Sequence, residues 1–393
     1  MTGRQSTATA AKEAAARVVA DNLDRLVSLS HTIHDQPELL FGERLAAAAV
    51  AETLRDGGLE VDEGVYDLPT ALECRSGDGE LVVTVCAEYD ALPEVGHACG
   101  HNIIAATAVG AGLALASVAG DLGLTVRVLG TPAEEGGGGK VLMLERGAFE
   151  GVHAAMMVHP WSMERLTPTC LAVAHFDVRY AGRAAHASAA PWEGVNAQDA
   201  LTIAQVAIGL LRQQLPPGDQ IHGVVAEGVG AANVIPAGVR ARYMVRSRTA
   251  DGLAVLRPRV EACFEAGALA TGCSVSYEDL SPVYSHMEPD PALLAAYRAN
   301  AEALGRRFDL DDLGTPRPIM STDMANVSLA VPTIHPLIYI EANGAVNHQR
   351  EFAAACVTAS ADAAVRDGAV ALAWTAIDAA TDPALRERLL SGA

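Results

Sequence analysis

Leu81-Val82-Val83-Thr84-Val85 is a short, continuous apolar run that gives way to Glu88-Tyr89-Asp90-Ala91-Leu92-Pro93 and then to His97-Ala98-Cys99-Gly100-His101-Asn102. A run of this length, rich in β-branched residues, reads as a strand buried on both faces of a sheet. The pattern recurs. Leu124-Thr125-Val126-Arg127-Val128-Leu129 leads into Thr131-Pro132-Ala133-Glu134-Glu135-Gly136, and the weaker run Ala154 to Val158 leads into His159-Pro160. Ala-rich stretches with helical character, Ile103 to Ala119 and Lys140 to Glu145, lie between these runs. Alternating strand and helix predict an α/β fold with a doubly wound, mostly parallel sheet. In such sheets ligands bind beyond the carboxyl ends of the strands, where each polar cluster stands.

Upstream, residues 8 to 56 read as helical, interrupted by a turn around Pro37. Downstream, the rhythm changes near Thr167. Residues 170 to 180 alternate like a half-exposed strand, Asn196 to Gln214 reads as a helix, and Gln220 to Val229 and Val239 to Arg248 read as strands. Leu253 to Thr271 is a second helix and Ser274 to Tyr277 a last strand. This β-α-β-β-α-β order predicts an inserted ferredoxin-like α+β unit of about 120 residues, within the usual domain range. The first domain resumes after Pro289 with a long helical stretch and a strand from Thr333 to Ile340. The expected division is therefore 1–167 and 288–393 for one domain and 168–287 for the inserted one.

Composition narrows the function. The formal net charge of −20, with no basic stripe, argues against nucleic acid or an anionic membrane as partner. No apolar run is long and charge-free enough to span a bilayer, and Met1 to Ala20 lacks the apolar core of a signal peptide, so a cytoplasmic location is expected. Seven cysteines at scattered spacing argue against a disulfide framework.

The chemistry-bearing residues follow the strands. Cys99 and His101 are donors that suit zinc, and two donors separated by one small residue can converge on one ion, with Gly100 leaving the backbone room to bend. A buried cysteine beside a surface histidine is the competing reading. Of the adjacent carboxylates Glu134 and Glu135, one can ligate metal while its neighbour moves a proton; a solvated acidic turn is the alternative. Gly139-Lys140 suggests a phosphate loop, but that pattern needs Gly at 134 and Ser or Thr at 141, where the chain has Glu134 and Val141. His159, and His348 within Asn347-His348-Gln349-Arg350-Glu351-Phe352, each follow a strand as well. Taken singly, either histidine is more often structural than ligating.

Collected in order, these segments resemble the aminoacylase/carboxypeptidase-type metallopeptidases, in their amidohydrolase branch. His97-Ala98-Cys99-Gly100-His101 is similar to the HxCGH motif of that family. Pro132-Ala133-Glu134-Glu135 matches its PAEE signature, and Ile33-His34-Asp35-Gln36-Pro37-Glu38, Gly182-Arg183-Ala184-Ala185-His186-Ala187, Asn233-Val234-Ile235-Pro236 and Ser321-Thr322-Asp323 also fit. Asn102 and Ser321-Thr322-Asp323-Met324 resemble in particular the subgroup of the β-alanyl-lysine (Xaa-Arg) dipeptidases and p-aminobenzoyl-glutamate hydrolases. Other members of the branch carry Asp where this chain has Asn102.

The resemblance implies hydrolysis of an amide or peptide bond in an N-acyl amino acid or dipeptide-like substrate with a free carboxylate. It implies Cys99, His101, Glu135, His159 and His348 as ligands of one or two divalent ions, zinc first and manganese or cobalt as alternatives, with Cys99 able to bridge. It also implies Glu134 as general base, His186 as oxyanion stabiliser, and Asn233 and Arg246 as the carboxylate site, a task that suits a guanidinium. The inserted domain would be a lid and dimerisation domain, and the protein a homodimer. Two other classes compete. A serine hydrolase lacks support, since there is no Gly-x-Ser-x-Gly segment. A non-catalytic metal-binding homologue is opposed by a full set of ligand and base positions.

Overall fold

A computed structural model describes residues 2–228 and 230–392. It separates into two compact units, one formed by residues up to Thr169 together with those from Met287 on, the other by Cys170–His286.

The larger unit is built on a six-stranded sheet. Its strands are β1 (Val61–Glu63), β2 (Leu72–Ser76), β3 (Leu81–Ala87), β4 (Leu124–Gly130) and β5 (Ala154–Met156), closed by Thr333–Ile334. The order is β1-β2-β4-β3-β5 and then Thr333–Ile334. The pairs β3–β4, β3–β5 and β5 with Thr333–Ile334 are parallel; β1 and β2 add an antiparallel edge. The parallel strands are buried almost throughout, which is why they read as continuous apolar runs. Strands β1 and β2 escape a reading from sequence because they are short and carry charges at Asp62, Glu63, Glu73 and Arg75.

Helices α1 (Thr2–Asp21), α2 (Leu23–Asp35) and α3 (Arg44–Asp56) fill the helical N-terminal region; α4 (His101–Ala116), α5 (Ala119–Leu122) and α6 (Gly139–Glu145) follow strands β3 and β4. Helix α4 is apolar all round because it is buried all round, between the sheet and the helix Ala359–Thr381. Gly110 permits this: a Cβ there would lie 2.8 Å from Leu26 and 2.9 Å from Ala369.

Two expectations need correction. The strand expected over Thr333 to Ile340 is broken at His335-Pro336 into Thr333–Ile334 and Leu337–Tyr339, because a proline has no N–H to continue a ladder. Its second piece pairs in parallel with a separate short strand, β6 (His159–Trp161). His159 therefore begins a strand of its own rather than simply following one.

In the smaller unit, strands Ala172–Ala181, Gln220–Glu227, Gly238–Ser247 and Ser274–Asp279 and helices Ala197–Leu211 and Ala250–Thr271 occur in the order β-α-β-β-α-β. The sheet runs Gln220–Glu227, Gly238–Ser247, Ala172–Ala181, Ser274–Asp279, all antiparallel, which is the ferredoxin-like arrangement. Val229, placed at the end of a strand by the sequence reading, lies outside the described residues. The strand Ala172–Ala181 is more buried than alternation suggests, since it is central in the sheet and packed beneath both helices.

Candidate metal centre

The site lies in the larger unit, where the loops after β3, β4 and β5 meet. Strand β3 ends at Ala87 and delivers Glu88 and Asp90; the loop then returns through Cys99 to His101, the first residue of α4. Gly100 makes that return possible. Its φ is +76°, and a Cβ would fall 2.4 Å from Pro160 Cγ and 3.2 Å from Cys356 Sγ. With no side chain there, Cys99 and His101 both turn inward and are buried. After β4, Ala133 adopts a left-handed conformation (φ +57°) and its N–H is held by Glu43 Oε1 at 2.8 Å. This bend presents Glu134 and Glu135, and the Glu135 N–H donates to Asp90 Oδ2 at 2.9 Å.

His159 joins from β6. Its Nδ1 is 2.8 Å from the Pro160 carbonyl, so Nδ1–H donates there and Nε2 is free to accept or ligate. His348 arrives on a left-handed turn (φ +70°), pinned by its N–H to the Ala98 carbonyl at 2.9 Å, and is the one exposed member.

The candidate donor atoms converge. Those of Cys99, His101 and His159 lie within 4.8 Å of one another, as do those of Cys99, Glu135 and His348, and those of His101, Glu134 and Glu135. His101 Nε2 is 3.9 Å from Glu134 Oε2 and 4.0 Å from Glu135 Oε1; His348 Nε2 is 4.0 Å from the same Glu135 oxygen. Donors ringing one zinc at about 2.0–2.3 Å stand no more than about 4.6 Å apart, so this spacing suits an ion. Among the described residues, buried His101 Nε2 and Glu135 Oε1 have no hydrogen-bond partner, and buried polar atoms of that kind call for one. Thiolate, imidazole and carboxylate together form a donor set that zinc favours. The residues fit a divalent cation.

Electrostatics agree. Burial, followed by Glu135, pushes the Cys99 thiol well up. Burial, followed by the charges of Glu88 and Glu135, raises Glu134 well above the ordinary carboxyl range. Burial also raises Glu135. Burial and the neighbouring His101 bring His159 down to about 4. Burial opposes a proton on His101, yet Asp90 at 3.0 Å, and then Glu88, hold its pKa well above the ordinary value. The pocket is thus an anion-rich cage short of positive charge, which a proton or a cation can supply.

Several residues here have no role assigned from the sequence. Asp90 orients His101 through Nδ1 and Glu135 through its N–H, the arrangement by which outer carboxylates fix ligand histidines. Its signal was its place just past the end of β3. Glu88, Lys140 and Asp323 form a buried cluster beside Glu134. His335 stacks on His159 with ring centroids 5.6 Å apart. Glu38, from the N-terminal motif, accepts the N–H groups of Leu45 and Ala46 and so caps α3.

The remaining predicted residues lie in the smaller unit. His186 and Asn233 are neighbours on a two-stranded ribbon: Ala185–His186 pairs with Val234–Ile235, and the Ala187 N–H donates to the Asn233 carbonyl at 2.9 Å. Both are exposed, and His186 Nδ1 accepts the N–H groups of Ser188 and Ala189. Arg246 stands on a different sheet, in strand Gly238–Ser247. Nearby, Arg242 is held by Asp177 and Arg248 by the Pro217 carbonyl.

Residues 85–366 match the model of peptidase family M20/M25/M40. The chain is 39% identical over 390 residues to the Xaa-Arg dipeptidase of Mus musculus, covering 96% of this chain and 90% of that protein. It is 35% identical to the Homo sapiens Xaa-Arg dipeptidase, covering 95% and 89%. It is 28% identical over 323 residues to a p-aminobenzoyl-glutamate hydrolase chain of Escherichia coli, covering 77% and 67%. The same fold occurs in the Bacillus subtilis YXEP protein, described as a dinuclear metal binding peptidase (TM-score 0.67, 19% identity, 91% and 99% covered). It occurs too in the aminobenzoyl-glutamate utilization protein of Klebsiella pneumoniae (TM-score 0.70, 17% identity, 92% and 97% covered).

Proposed function

Since this chain belongs to peptidase family M20/M25/M40, we propose that it is a metal-dependent amidohydrolase acting on a dipeptide-like or N-acyl amino acid substrate with a free carboxylate. The observation that carries the reading is the convergence of Cys99, His101, Glu135, His159 and His348 donor atoms beside Glu134. Those five residues would hold one or two divalent ions, zinc by the softness of the thiolate and imidazoles, with manganese or cobalt as alternatives. When bound, the cation supplies Lewis-acid polarisation of the amide carbonyl and lowers the pKa of an attacking water.

The protein's own groups do the rest. Glu134 is buried with its carboxylate facing His101, and burial raises its affinity for a proton. That suits a base which takes a proton from the attacking water at a carboxylate oxygen and returns it to the leaving amine. Asp90 and the Pro160 carbonyl fix the His101 and His159 rings so that each turns Nε2 inward. His186 is assigned to the developing oxyanion, and Asn233 and Arg246 to the substrate carboxylate, on their motif positions. The dipeptide class draws on the similarity to the Xaa-Arg dipeptidases.

A homodimer and a cytoplasmic setting belong to the same reading. The edge strand Gln220–Glu227 exposes Val224 and Val225, and the helix Ala197–Leu211 exposes Ile203, Val206 and Leu210 at helical spacing, which suits strand-edge and helix-face pairing of two copies. Among the described residues no helix is long and apolar enough to cross a membrane. The test is a hydrolysis screen of β-alanyl dipeptides, N-acyl amino acids and p-aminobenzoyl-glutamate, run with metal analysis. Activity on one class is expected to vanish with a chelator and return with added zinc or manganese. Hydrolysis untouched by complete metal removal overturns the reading.

A further inference from the structure

Glu88, Lys140 and Asp323 are fully buried beside the pocket, and the hydrolytic reading gives them no task. Lys140 Nζ lies 2.5 Å from Glu88 Oε1 and 2.8 Å from Asp323 Oδ1, and the Lys140 backbone N–H donates to Asp323 Oδ2 at 2.8 Å. Carboxylate oxygens of Glu88, Glu134 and Asp323 lie within 4.8 Å of one another, the same spacing found among the donors of the thiol–imidazole pocket. Glu88 Oε2 is buried, has no hydrogen-bond partner among the described residues and lies 3.5 Å from His101 Nε2. Glu134 is common to both clusters, so two places fit for a cation share one carboxylate.

Carboxylates gathered this closely in a dry interior repel one another and require a cation, or they take up protons. In one cluster the cation must come from solution. In the other the chain brings its own: Lys140 is the second residue of α6, whose start is set by the glycine turn after Glu135. Gly139 lets that turn close, since a Cβ there would fall 1.8 Å from the Pro132 carbonyl oxygen. A tethered ammonium is a single charge that neither exchanges nor accepts further ligands, unlike a divalent ion.

We propose that Lys140 is a built-in cation standing where a divalent ion would otherwise bind among Glu88, Glu134 and Asp323. It thereby confines metal to the Cys99–His101–Glu135–His159–His348 pocket and leaves Glu134 unligated on that side. Lys140 acts through these carboxylates and is a positioning residue. The inference rests on the reading of that pocket as the metal centre.

The test counts ions. Wild type, Lys140→Met, and Lys140→Met carrying Cys99→Ser and His348→Ala are stripped with chelator and titrated with Mn²⁺ alone, and bound manganese per chain is measured after gel filtration. Lys140→Met is expected to hold one more ion per chain than wild type. The extra ion should persist when the thiol–imidazole pocket is broken and disappear when Asp323→Asn is added. Equal counts in wild type and Lys140→Met overturn the inference, and so does an extra ion indifferent to Asp323→Asn. A wild type that holds neither manganese nor, in a parallel titration, zinc, beside a Lys140→Met chain that holds one manganese, overturns the pocket reading and leaves the role of Lys140 standing. If Lys140→Met is unfolded when stripped, the melting of the chain that also carries Cys99→Ser and His348→Ala is followed against Mn²⁺; recovery of a cooperative transition supports the inference, and no recovery at saturating Mn²⁺ overturns it.

Discussion

Two neighbouring regions of the larger unit are equally crowded with acids and treat the crowding in opposite ways. Around Glu88 and Asp323 the negative charge is met by Lys140, at 2.5 and 2.8 Å. Around Cys99 and Glu135 the groups facing the acid are imidazoles, His101 and His348 each at 4.0 Å, and among the described residues His101 Nε2 and Glu135 Oε1 are buried without hydrogen-bond partners. A closed ion pair holds structure, while an open set of donors can take a ligand and exchange it. That difference is the ground for proposing the second region as the place for chemistry.

Two substitutions probe that contrast, and a third tests a buried acid that belongs to neither region. The largest effect is expected from Glu134→Gln, which keeps the shape but removes the proposed proton acceptor. Turnover should fall about 10²–10⁴-fold, the usual worth of a general base, with metal content unchanged. Unchanged turnover in a steady-state assay would remove Glu134 from its role. Asp90→Asn comes next. It weakens the orientation of His101, set by a 3.0 Å contact, and should lower metal affinity or activity about 10–100-fold in a competitive chelator titration.

The smallest effect concerns Glu164, a buried acid outside both clusters. Burial pushes its pKa up to about 7, although Arg306 at 3.5 Å acts in the other direction. The folded value exceeds the ordinary 4.5, so the folded state binds this proton more tightly. The stability gained is complete below pH about 4.5 and is lost as pH rises through about 7, a change of roughly 3 kcal/mol. Urea unfolding of Glu164→Gln between pH 5 and 8 should show a flatter pH dependence than wild type. A parallel slope would mean that Glu164 is already ionised at pH 5.

Much of this is legible in the sequence. The runs at Leu81 and Leu124 announced the parallel strands, because strands buried on both faces must be apolar at every position. Other features are not. Strand β1 is three residues long, too short for a periodic signal. The change of partner at His335-Pro336 depends on which neighbours the two halves meet, β5 for one and β6 for the other. Asp90 and Lys140 could be quoted but not interpreted, since an acid near a histidine in sequence says nothing about which ring nitrogen it faces. Gly139-Lys140 looked like a fragment of a phosphate loop, whereas its lysine is turned inward onto Glu88 and Asp323.

The sequence by itself determined the order of elements and the inventory of donors: which strands are buried, where the chain can bend at glycine, and which thiol, imidazoles and carboxylates stand just past strand ends. These follow from local chemistry and from periodicity, which a linear string records in full. Only the tertiary structure decided which of those donors share a pocket, which acid is matched by an internal ammonium, and that His186 and Asn233 sit on one ribbon while Arg246 stands on another sheet. Coulomb and coordination energies depend on distances of a few ångströms between residues far apart in the chain, such as Cys99 and His348, and such distances exist only once the packing is complete.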